Sequence, residues 1–571
     1  MHSLPIAKAF RLTLFLAVIC VLTSAAERDP GKSIAGARPV EETIEIDPSA
    51  PAHPFPHFWE KAFGSGRAIL SLRESYRNDL RAVRDATGFE YVHFHAIFHD
   101  ETGIYNEDAN GAPVFNFSFI DQIYDGLLAN NIRPLVELSF MPKKLSSDPG
   151  ALHAFWYKQN VAPPKDWGKW DQLIQAFAGH LIQRYGEDEV AQWYFEVWNE
   201  PNIDFWVGVP KQATYFELYD HTARTLKAVS PRLRVGGPAT AAADWVDAFL
   251  AHTEREKVPV DFVSTHGYAD DTVQNLFHTQ ENIPMDQRVC RAVQKVHTQI
   301  ASSGRPNLPL FWTEWNVPSF GRLHERDTIY VGAALADDIR QCDGMADMMS
   351  FWTFSDVFEE NGPKKEPFDG GFRLMAVGGI KKPSYVAFSL LHKLGSERLA
   401  NTASDILVTR RKDGTLVIAA WNLVDPDQKG SNKVFHLKFR GVAPSAQISV
   451  QRVDNDHGRQ HARRLSGDRQ LALSNTGTSA TDQSRRGASA RGFRSASERP
   501  IGPRHFTEWP GVGGSAPRRD ASLASLAQVR QQLSLGTPES GDGVVVGVPR
   551  GGSYYRKGPQ LPCCAVVPHL W

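Results

Sequence analysis

Short apolar segments alternate with longer amphipathic segments between Trp59 and Leu394. Eight short and largely apolar segments predict strands at Gly66–Leu70, Tyr91–Phe98, Arg133–Phe140, Trp193–Trp198, Arg234–Gly237, Asp261–His266, Leu310–Trp315 and Met349–Phe354. Helical periodicity between them predicts helices at Glu74–Ala86, Phe119–Asn130, Asp171–Arg184, Gln212–Val229, Asp286–Ser302 and Thr328–Gln341. Strands that alternate with helices at this spacing indicate parallel βα units.

Eight such units predict an α/β fold, a TIM (β/α)8 barrel formed by residues 59–394. This fold usually takes about 250 residues and tolerates long insertions. An open doubly wound sheet is the alternative, although no Gly-x-Gly-x-x-Gly run follows the first predicted strand.

Sequence typical of antiparallel sheets flanks the barrel. Alternating residues at Glu42–Ile46 precede it, and four further strands are predicted at Ile406–Arg411, Leu416–Asn422, Val434–Phe439 and Gln447–Arg452. Lys412-Asp413-Gly414 is a hairpin turn signal between two of these strands. We predict an accessory β-sandwich in residues 395–458, which is incomplete and takes one strand from residues 27–58.

The composition changes after Gly458. Arginine is frequent in residues 459–571, lysine occurs only at Lys557, and apolar periodicity is weak, which predicts a disordered C-terminal tail. Loss of lysine with retention of arginine, and the vicinal Cys563-Cys564, indicate that this low-order tail is the product of a shifted reading frame. The alternative is a genuine disordered basic tail that binds an acidic surface.

The N-terminus has the pattern of a secretory signal. Lys8 and Arg11 precede the apolar run Leu12–Leu22, and small residues follow as far as Ala26. We predict that residues 1–26 are a signal peptide and that the protein is exported to the periplasm or the extracellular space. An uncleaved anchor is the alternative. After cleavage, no segment is long and apolar enough to span a membrane.

Charge and composition exclude some classes of function. A formal net charge of −1 argues against a nucleic-acid-binding protein, and the 14 tryptophans suit a protein that stacks sugars or packs large cores. The five cysteines show no zinc-site spacing, and we predict neither a metal site nor an organic cofactor. Cys290 and Cys342 lie apart on predicted helices, so no dependence on disulfides is expected.

Two glutamates end predicted strands. The fourth strand ends in Asn199-Glu200-Pro201, and the seventh ends in Thr313-Glu314-Trp315. The carboxyl ends of the strands form the active face of a TIM barrel, so these side chains can meet across one pocket. Glycoside hydrolysis needs such a pair, with one carboxyl protonated and the other ionised.

These motifs resemble the retaining barrel glycosidases of clan A, and within them glycoside hydrolase family 39, the β-xylosidase and α-L-iduronidase family. The resemblance extends from about Glu42 to His457. The matching strings are Gly64-Ser65-Gly66-Arg67-Ala68, Phe94-His95-Ala96-Ile97-Phe98-His99-Asp100, Phe195-Glu196-Val197-Trp198-Asn199-Glu200-Pro201-Asn202, Thr265-His266-Gly267-Tyr268, Thr313-Glu314-Trp315 and Phe354-Ser355-Asp356-Val357-Phe358-Glu359-Glu360. The resemblance implies that Glu200 is the acid/base and Glu314 the nucleophile.

Further residues are candidates for the substrate pocket. The resemblance implies that Asn199 contacts the sugar 2-hydroxyl, and that His266 and Tyr268 contact the sugar and the nucleophile. Trp352 is either a stacking platform or a core residue, and Glu359 and Glu360 either bind the 3- and 4-hydroxyls or form a solvated loop. His95 and Asp100, which follow the second strand, are expected to close the pocket.

These features predict a retaining exo-acting β-xylosidase that acts on xylo-oligosaccharides. α-L-Iduronidase is an alternative, because Arg373 follows the eighth strand and is suited to a substrate carboxylate. Other β-glycosidases and α-L-arabinosidases also remain open. A carbohydrate-binding protein with an inactive barrel is the alternative from another class, although such a protein would need neither glutamate.

Overall fold

Eight parallel strands close into a barrel in this computed structural model. In chain order they are Ala62–Gly64, Tyr91–Phe94, Arg133–Glu137, Tyr194–Glu196, Arg234–Thr240, Phe262–His266, Leu310–Trp315 and Met348–Phe351. The eighth strand returns to the first, where Ser350 pairs with Ala62 and Phe351 pairs with Phe63. This closure confirms the predicted TIM barrel and excludes the open doubly wound sheet.

The structure describes residues 39–318, 325–426, 428, 430–442, 446 and 448–454, and the backbone of residues 529–534 and 542–548. The predicted signal peptide, residues 1–26, lies outside the described residues. Within the described part of the chain, no helix has the length and apolar character needed to cross a membrane.

Helices surround the barrel, at Glu74–Thr87, Ser118–Leu128, Trp167–Tyr185, Glu187–Val190, Lys211–Val229, Val246–Arg255, Val273–Phe277, Met285–Ala301, Tyr330–Cys342 and Pro383–Leu391. In the first helix, Tyr76, Leu80 and Val83 recur on one face and are all buried. The sequence did not predict Pro383–Leu391, because apolar residues cover most of its surface and leave no amphipathic pattern. Two short ribbons complete the connections, Tyr105–Glu107 with Pro113–Phe115 and Met375–Ala376 with Ile380–Lys381.

The first barrel strand differs from the prediction. The sequence predicts a strand at Gly66–Leu70, but the paired residues are Ala62–Gly64, and Ala68–Leu72 forms a 3-10 helix. A short buried apolar run carries no periodicity that separates a strand from a helix. Gly64 ends the strand where a Cβ would lie 2.1 Å from the indole of Trp352, so only glycine permits this approach.

A disulfide joins Cys290 to Cys342, which corrects the expectation that the two cysteines remain apart. Cys290 lies in the helix Met285–Ala301, and Cys342 ends the helix Tyr330–Cys342. Their Cα atoms are 5.0 Å apart, although they are separated by 52 positions in the sequence. Consecutive helices of a barrel lie side by side, a proximity that cysteine spacing alone does not reveal.

Two sheets pack against each other to form the accessory β-sandwich. One has the strand order Val40–Ile46, Lys433–Phe439, Val529–Ser534, and the other has the order Ser449–Val453, Asp542–Val548, Leu416–Asn422, Ile406–Arg410, Glu397–Leu399, Ala52–Pro54. Ile44 and Phe435 of the first sheet share a buried apolar cluster with Ile406 and Ile418 of the second. The N-terminal strand Val40–Ile46 runs parallel to Lys433–Phe439.

Two strands of the sandwich come from the segment after residue 458. Val529–Ser534 pairs with Lys433–Phe439, and Asp542–Val548 pairs with both Leu416–Asn422 and Ser449–Val453. The sequence predicts no strand there, so the sandwich contains two strands more than expected. The rest of residues 459–571 lies outside the described residues, and the shifted reading frame stays a prediction.

Candidate active site

Glu200 lies just beyond the carboxyl end of the fourth barrel strand. That strand ends at Glu196, and left-handed backbone at Trp198 (φ 70°) and Glu200 (φ 40°) turns the chain over the barrel mouth. Residues other than glycine adopt this conformation only where their surroundings hold them. Here the backbone N–H of Glu200 donates to the carbonyl oxygen of Ala239 in the fifth strand at 2.8 Å.

Glu314 lies within the seventh strand, and only 6% of its side chain is exposed. Its Oε2 accepts a hydrogen bond of 2.8 Å from the phenol of Tyr268, which follows the sixth strand. Its Oε1 has no hydrogen-bond partner among the described residues. Tyr268 therefore holds one carboxylate oxygen in place, and the other oxygen is buried without a hydrogen bond to a described residue.

His266 lies between the two glutamates. Its Nδ1 is 3.1 Å from Oε1 of Glu200 and 3.7 Å from Oε2 of Glu314. One carboxylate oxygen of each glutamate lies within 4.8 Å of one from the other. Burial disfavours the charged ring, but the carboxyl groups of Glu314 and Glu200 raise the pKa of His266 to about 9. A positive imidazolium therefore lies beside both glutamates at neutral pH.

Burial raises the pKa of Glu314 above its usual value, while the positive charges of His266 and His95 oppose that shift. The nearby carboxyl group of Glu200 raises the pKa of Glu314 further. Glycoside hydrolysis needs one carboxyl group that donates a proton and one that is ionised, and these two glutamates lie close enough to act on one sugar.

A line of alternating acidic and histidine side chains leads from the barrel interior to Glu314. Nε2 of His93 is 2.7 Å from Oε2 of Glu196 and 3.3 Å from Oε2 of Glu137. Nδ1 of His95 is 2.6 Å from Oε2 of Glu137, and its Nε2 is 3.6 Å from Oε1 of Glu314. Despite burial, Glu196 and Glu137 raise the pKa of His93 to about 10, and the two histidines lower the pKa of Glu137 to about 2.

These groups face a pocket of about 430 Å³ at the carboxyl end of the barrel. Its size falls in the range of small-molecule sites, about 300–1,000 Å³. Seven of the residues proposed from the sequence line it: His95, Asn199, Glu200, Tyr268, Glu314, Trp352 and Glu360. His266 is fully buried behind Glu200 and Glu314 and acts on the pocket through them.

Three of the lining residues have surroundings that suit sugar binding. Asn199 is 1% exposed, and its Oδ1 has no partner among the described residues. The ring of Trp352 lies against that of His95, with 4.7 Å between the centroids. Burial raises the pKa of Glu360 to about 8, so its carboxyl group is mostly protonated at neutral pH.

The structure does not bring Asp100 and Glu359 to the pocket. Asp100 is exposed and begins a 3-10 helix, because the chain turns away after Ala96, whose φ is 73°. Glu359 is buried in ion pairs with Arg67 at 2.9 Å and Arg73 at 2.5 Å. Burial opposes ionisation of Glu359, but its hydrogen bonds to the two arginines lower its pKa.

Arg373 is also absent from the residues that line the pocket. Its guanidinium group is buried and forms ion pairs with Asp356 and Asp369. The guanidinium group therefore does not serve to bind a substrate carboxylate in the pocket, which is the role that the α-L-iduronidase alternative gave it. Among the described residues, no lysine or arginine lines the pocket.

Sequence reasoning missed part of the site. His153, Ala154, Phe155, Asp204, Phe205, Asn361 and Phe372 also line the pocket. They belong to long connections, where no periodic pattern indicates which side chains turn inward. The buried His93 and Glu137 were missed as well, although an ionisable residue inside an apolar barrel strand is a recognisable signal.

Four groups of described residues bring potential metal ligands within 4.8 Å of one another. They are His93 with Glu137 and Glu196, His95 with Glu137 and Glu314, Glu200 with His266 and Glu314, and His57 with Glu60 and His392. Each group contains direct histidine–glutamate contacts of 2.6–3.1 Å, which pair a ring nitrogen with a carboxylate. That the protein needs no metal or organic cofactor stays a prediction.

A parallel eight-stranded barrel whose carboxyl end presents two neighbouring glutamates has the arrangement that glycoside hydrolysis requires. Comparison with known proteins gives the same class. The model of glycosyl hydrolases family 39 matches residues 42–466, and the chain belongs to this family. The protein is therefore a glycosidase, and its substrate is a saccharide.

Similarity to a known β-xylosidase covers much more of this chain than similarity to a known α-L-iduronidase. The chain is 39% identical to a β-xylosidase of Geobacillus stearothermophilus over 422 residues, which are 72% of this chain and 83% of that protein. An α-L-iduronidase of Canis lupus familiaris is 31% identical, but over 28% of this chain and 22% of that protein. The crystal structure of a monomeric β-xylosidase from Caulobacter crescentus CB15 is 32% identical with a TM-score of 0.71, and the match covers 89% of this chain and 99% of that one.

Proposed function

We propose that the protein is a retaining exo-β-xylosidase that releases xylose from xylo-oligosaccharides. The main support for the retaining mechanism is the short distance between the carboxyl groups of Glu200 and Glu314. Their nearest carboxylate oxygens lie within 4.8 Å of each other. Retaining glycosidases hold their carboxyl groups about 5–5.5 Å apart, whereas inverting ones leave about 6.5–9.5 Å for a water molecule. Similarity to β-xylosidases along most of the chain supports the substrate.

In the first half of the reaction, Oε1 of Glu314, which makes no hydrogen bond to a described residue, attacks the anomeric carbon of the xylosyl ring. The glycosidic C–O bond breaks as Glu200 donates its proton to the leaving oxygen. An ester bond between Glu314 and the sugar results, and Glu200 is left ionised. The hydrogen bond from Tyr268 keeps the second oxygen of Glu314 in place during the attack.

In the second half, Glu200 accepts a proton from a water molecule, which attacks the anomeric carbon. The ester bond to Glu314 breaks, and xylose leaves with its original anomeric configuration. The proton returns to Glu200, so both glutamates regain their starting states. The charged His266 contacts both carboxyl groups and stabilises whichever of them is ionised at each stage.

The pocket residues suit a neutral pentose. Asn199 has a buried carbonyl oxygen free to accept a hydrogen bond from a sugar hydroxyl, and Trp352 offers an aromatic wall. Glu360, protonated at neutral pH, can both donate to and accept from a hydroxyl. A uronic acid carries a carboxylate that needs a cation, and no described lysine or arginine lines the pocket.

We also infer that the protein is exported. The support is the N-terminal sequence, in which two basic residues precede the apolar run Leu12–Leu22 and small residues follow it. Expression of the full chain, followed by N-terminal sequencing of the secreted protein, would test this. Cleavage near Ala26 is expected, and an intact N-terminus in the membrane fraction would contradict it.

A panel of nitrophenyl glycosides tests the substrate. It should contain β-xyloside, β-glucoside, α-L-arabinoside and α-L-iduronide, and the highest kcat/KM is expected for the β-xyloside. NMR of the first-formed sugar should show the β-anomer, since two displacements restore the configuration. A higher kcat/KM for another glycoside would overturn the substrate, and an α-anomer would overturn the retaining mechanism.

A further inference from the structure

The substrate pocket has two chemically different sides. His95, Tyr268 and Trp352 lie around Glu314, and they face the sugar whose anomeric carbon this glutamate attacks. Asp204 and Phe205 follow Glu200 in the chain, and His153 and Phe155 come from the connection after the third barrel strand. An acid must lie beside the oxygen that it protonates, so the leaving group extends along the Glu200 side.

The Glu200 side carries an aromatic cluster. The ring of His153 stacks on Phe205 with 4.0 Å between centroids and 17° between planes. Phe155 packs edge-on against His153 at 4.4 Å. Phe140 also lies parallel to Phe205, at 5.9 Å, so the half-buried Phe155 and the ring edges of His153 and Phe205 form the apolar wall against which the C–H face of a sugar can pack.

An acceptor lies beside this wall. Nε2 of His153 is 3.3 Å from Oδ2 of Asp204, and 72% of the Asp204 side chain is exposed. Nδ1 of His153 accepts a hydrogen bond from the backbone N–H of Phe155, which places the ring proton on Nε2, facing Asp204. Burial lowers the pKa of His153, so the ring is a neutral donor that orients the Asp204 carboxylate at the pocket mouth.

The connection that carries His153 and Phe155 is fixed to the opposite wall. The backbone N–H of Trp156 donates to the carbonyl oxygen of Glu360 at 2.7 Å. The Trp156 ring lies close to Gly362, where an added Cβ would approach it to 3.2 Å. The aromatic cluster is thus part of a connected pocket rim that continues past Glu360.

We propose that His153, Phe155, Asp204 and Phe205 form the binding site for the leaving group, and that this site takes a second sugar ring. The aromatic wall contacts the ring face, and the Asp204 carboxylate accepts a hydrogen bond from a hydroxyl of that sugar. This proposal rests on the proposed retaining β-xylosidase activity. It makes an oligosaccharide, rather than a xyloside of an apolar alcohol, the preferred substrate.

Asp204→Ala tests the proposal with two substrates that differ only in the leaving group. For xylobiose, kcat/KM should fall roughly tenfold to a hundredfold, because a hydrogen bond to a charged group is lost. For 4-nitrophenyl β-xyloside, which has no hydroxyl on the leaving group, kcat/KM should change by less than about threefold. Equal effects on the two substrates, or no effect on xylobiose, would overturn the proposal.

Asp188→Ala is the matched control. Asp188 is an exposed carboxylate in the helix before the fourth strand, at the opposite end of the barrel, and its removal should leave both substrates unaffected. Transfer of xylose to an added xylose acceptor, relative to water, gives a second readout that does not depend on the amount of folded enzyme. This ratio should fall in Asp204→Ala, and an unchanged ratio would contradict the site.

A wrong assignment of the released sugar would give a different result from a wrong assignment of the leaving-group site. If the wild-type enzyme prefers another glycoside, the same comparison is made between the disaccharide and the nitrophenyl derivative of that sugar. The glycoside panel then identifies the sugar that is released. The difference in kcat/KM between the two leaving groups in Asp204→Ala shows whether the proposed residues bind the leaving group.

Discussion

Tyr268 donates its phenolic hydrogen to Oε2 of Glu314 at 2.8 Å, from the connection after the neighbouring barrel strand. The bond fixes one oxygen of the carboxylate and leaves Oε1, the oxygen that we propose attacks the sugar, without a hydrogen bond to a described residue. A hydrogen bond to the ionised carboxylate also favours that form. Tyr268 thus counteracts part of the effect of burial on Glu314.

Tyr268→Phe should lower kcat/KM roughly tenfold to a hundredfold, because hydrogen bonds to charged groups are worth about 1.5–3 kcal/mol. Steady-state kinetics on 4-nitrophenyl β-xyloside would measure this loss. Tyr91→Phe is the matched control, since the Tyr91 hydroxyl donates to the Gln192 carbonyl oxygen at the other end of the barrel. Equal kinetics for the two variants would show that the Tyr268 hydroxyl has no part in the reaction.

Separate substitutions of the two glutamates should have different consequences. Glu314→Ala should be inactive, because no ester with the sugar can form. Glu200→Ala should lose about 10²–10⁴-fold on xylobiose and much less on a dinitrophenyl xyloside, whose leaving group needs no proton. Added azide should rescue Glu200→Ala and give the β-xylosyl azide. An α-azide from this variant, identified by NMR, would reverse the assigned roles.

The activity should follow a bell-shaped pH profile. Burial raises the pKa of Glu314, so the acid limb of kcat/KM should lie above the ordinary glutamate value of 4.5. The positive charge of His266 lowers the pKa of Glu314, and its removal in His266→Gln should move the acid limb upward by about 1–3 units. An acid limb that stays in place or moves to lower pH would contradict the role of this charge.

The disulfide between Cys290 and Cys342 should stabilise the barrel. It closes a loop with a sequence separation of 52, for which chain entropy predicts about 4 kcal/mol. Replacing both cysteines by alanine should lower Tm, and a reducing agent should lower the Tm of the wild type alone. Activity at 25 °C should persist in the variant, since neither cysteine lines the pocket. A wild-type Tm that does not respond to reduction would contradict this role.

The buried contacts of Glu137 should make stability depend on pH. The folded pKa of Glu137 is about 2, below its ordinary 4.5, so its contribution is complete above pH 4.5 and is lost as pH falls toward 2. The folded pKa of His93 is about 10, above 6.5, so its contribution is complete below pH 6.5 and is lost as pH rises toward 10.

Glu137→Gln should therefore cost about 3–5 kcal/mol near pH 6, because two buried histidines lose a charged partner. Urea unfolding between pH 3 and 9 would measure the loss, and the decline below pH 4.5 should become shallower in the variant. Glu74→Gln, which removes an exposed charge paired with Arg81, serves as the control and should cost less than about 1 kcal/mol. Equal costs for the two variants would contradict a buried ionised network.

The barrel could be predicted because the spacing of apolar residues distinguishes its strands from its helices. The residues at which the strands end could not be predicted. The sequence predicts a strand over Tyr91–Phe98, but pairing ends at Phe94, and the next four residues form a buried connection. Such a connection is as apolar as a strand, because it packs beneath the other connections at the barrel mouth.

The two glutamates could be predicted because a local signal, a carboxylate at the end of an apolar strand, marks each of them. His153 and Asp204 lie in irregular connections, and their contact exists only after the barrel has closed. The roles of Glu359 and Glu360 could not be separated either. Adjacent in the chain, one forms ion pairs with two arginines while the other lines the pocket.

The pairing of Val40–Ile46 with Lys433–Phe439 constrains how the chain is made. The ribosome releases the first strand before any part of the barrel, but its partner emerges only after the barrel is complete. Until then the strand has two free edges, and such edges invite misassembly with other chains. The sandwich therefore cannot be completed before the barrel sequence has been made. When the sandwich forms, the strand at the beginning of the described chain pairs with a strand that follows the barrel in the sequence.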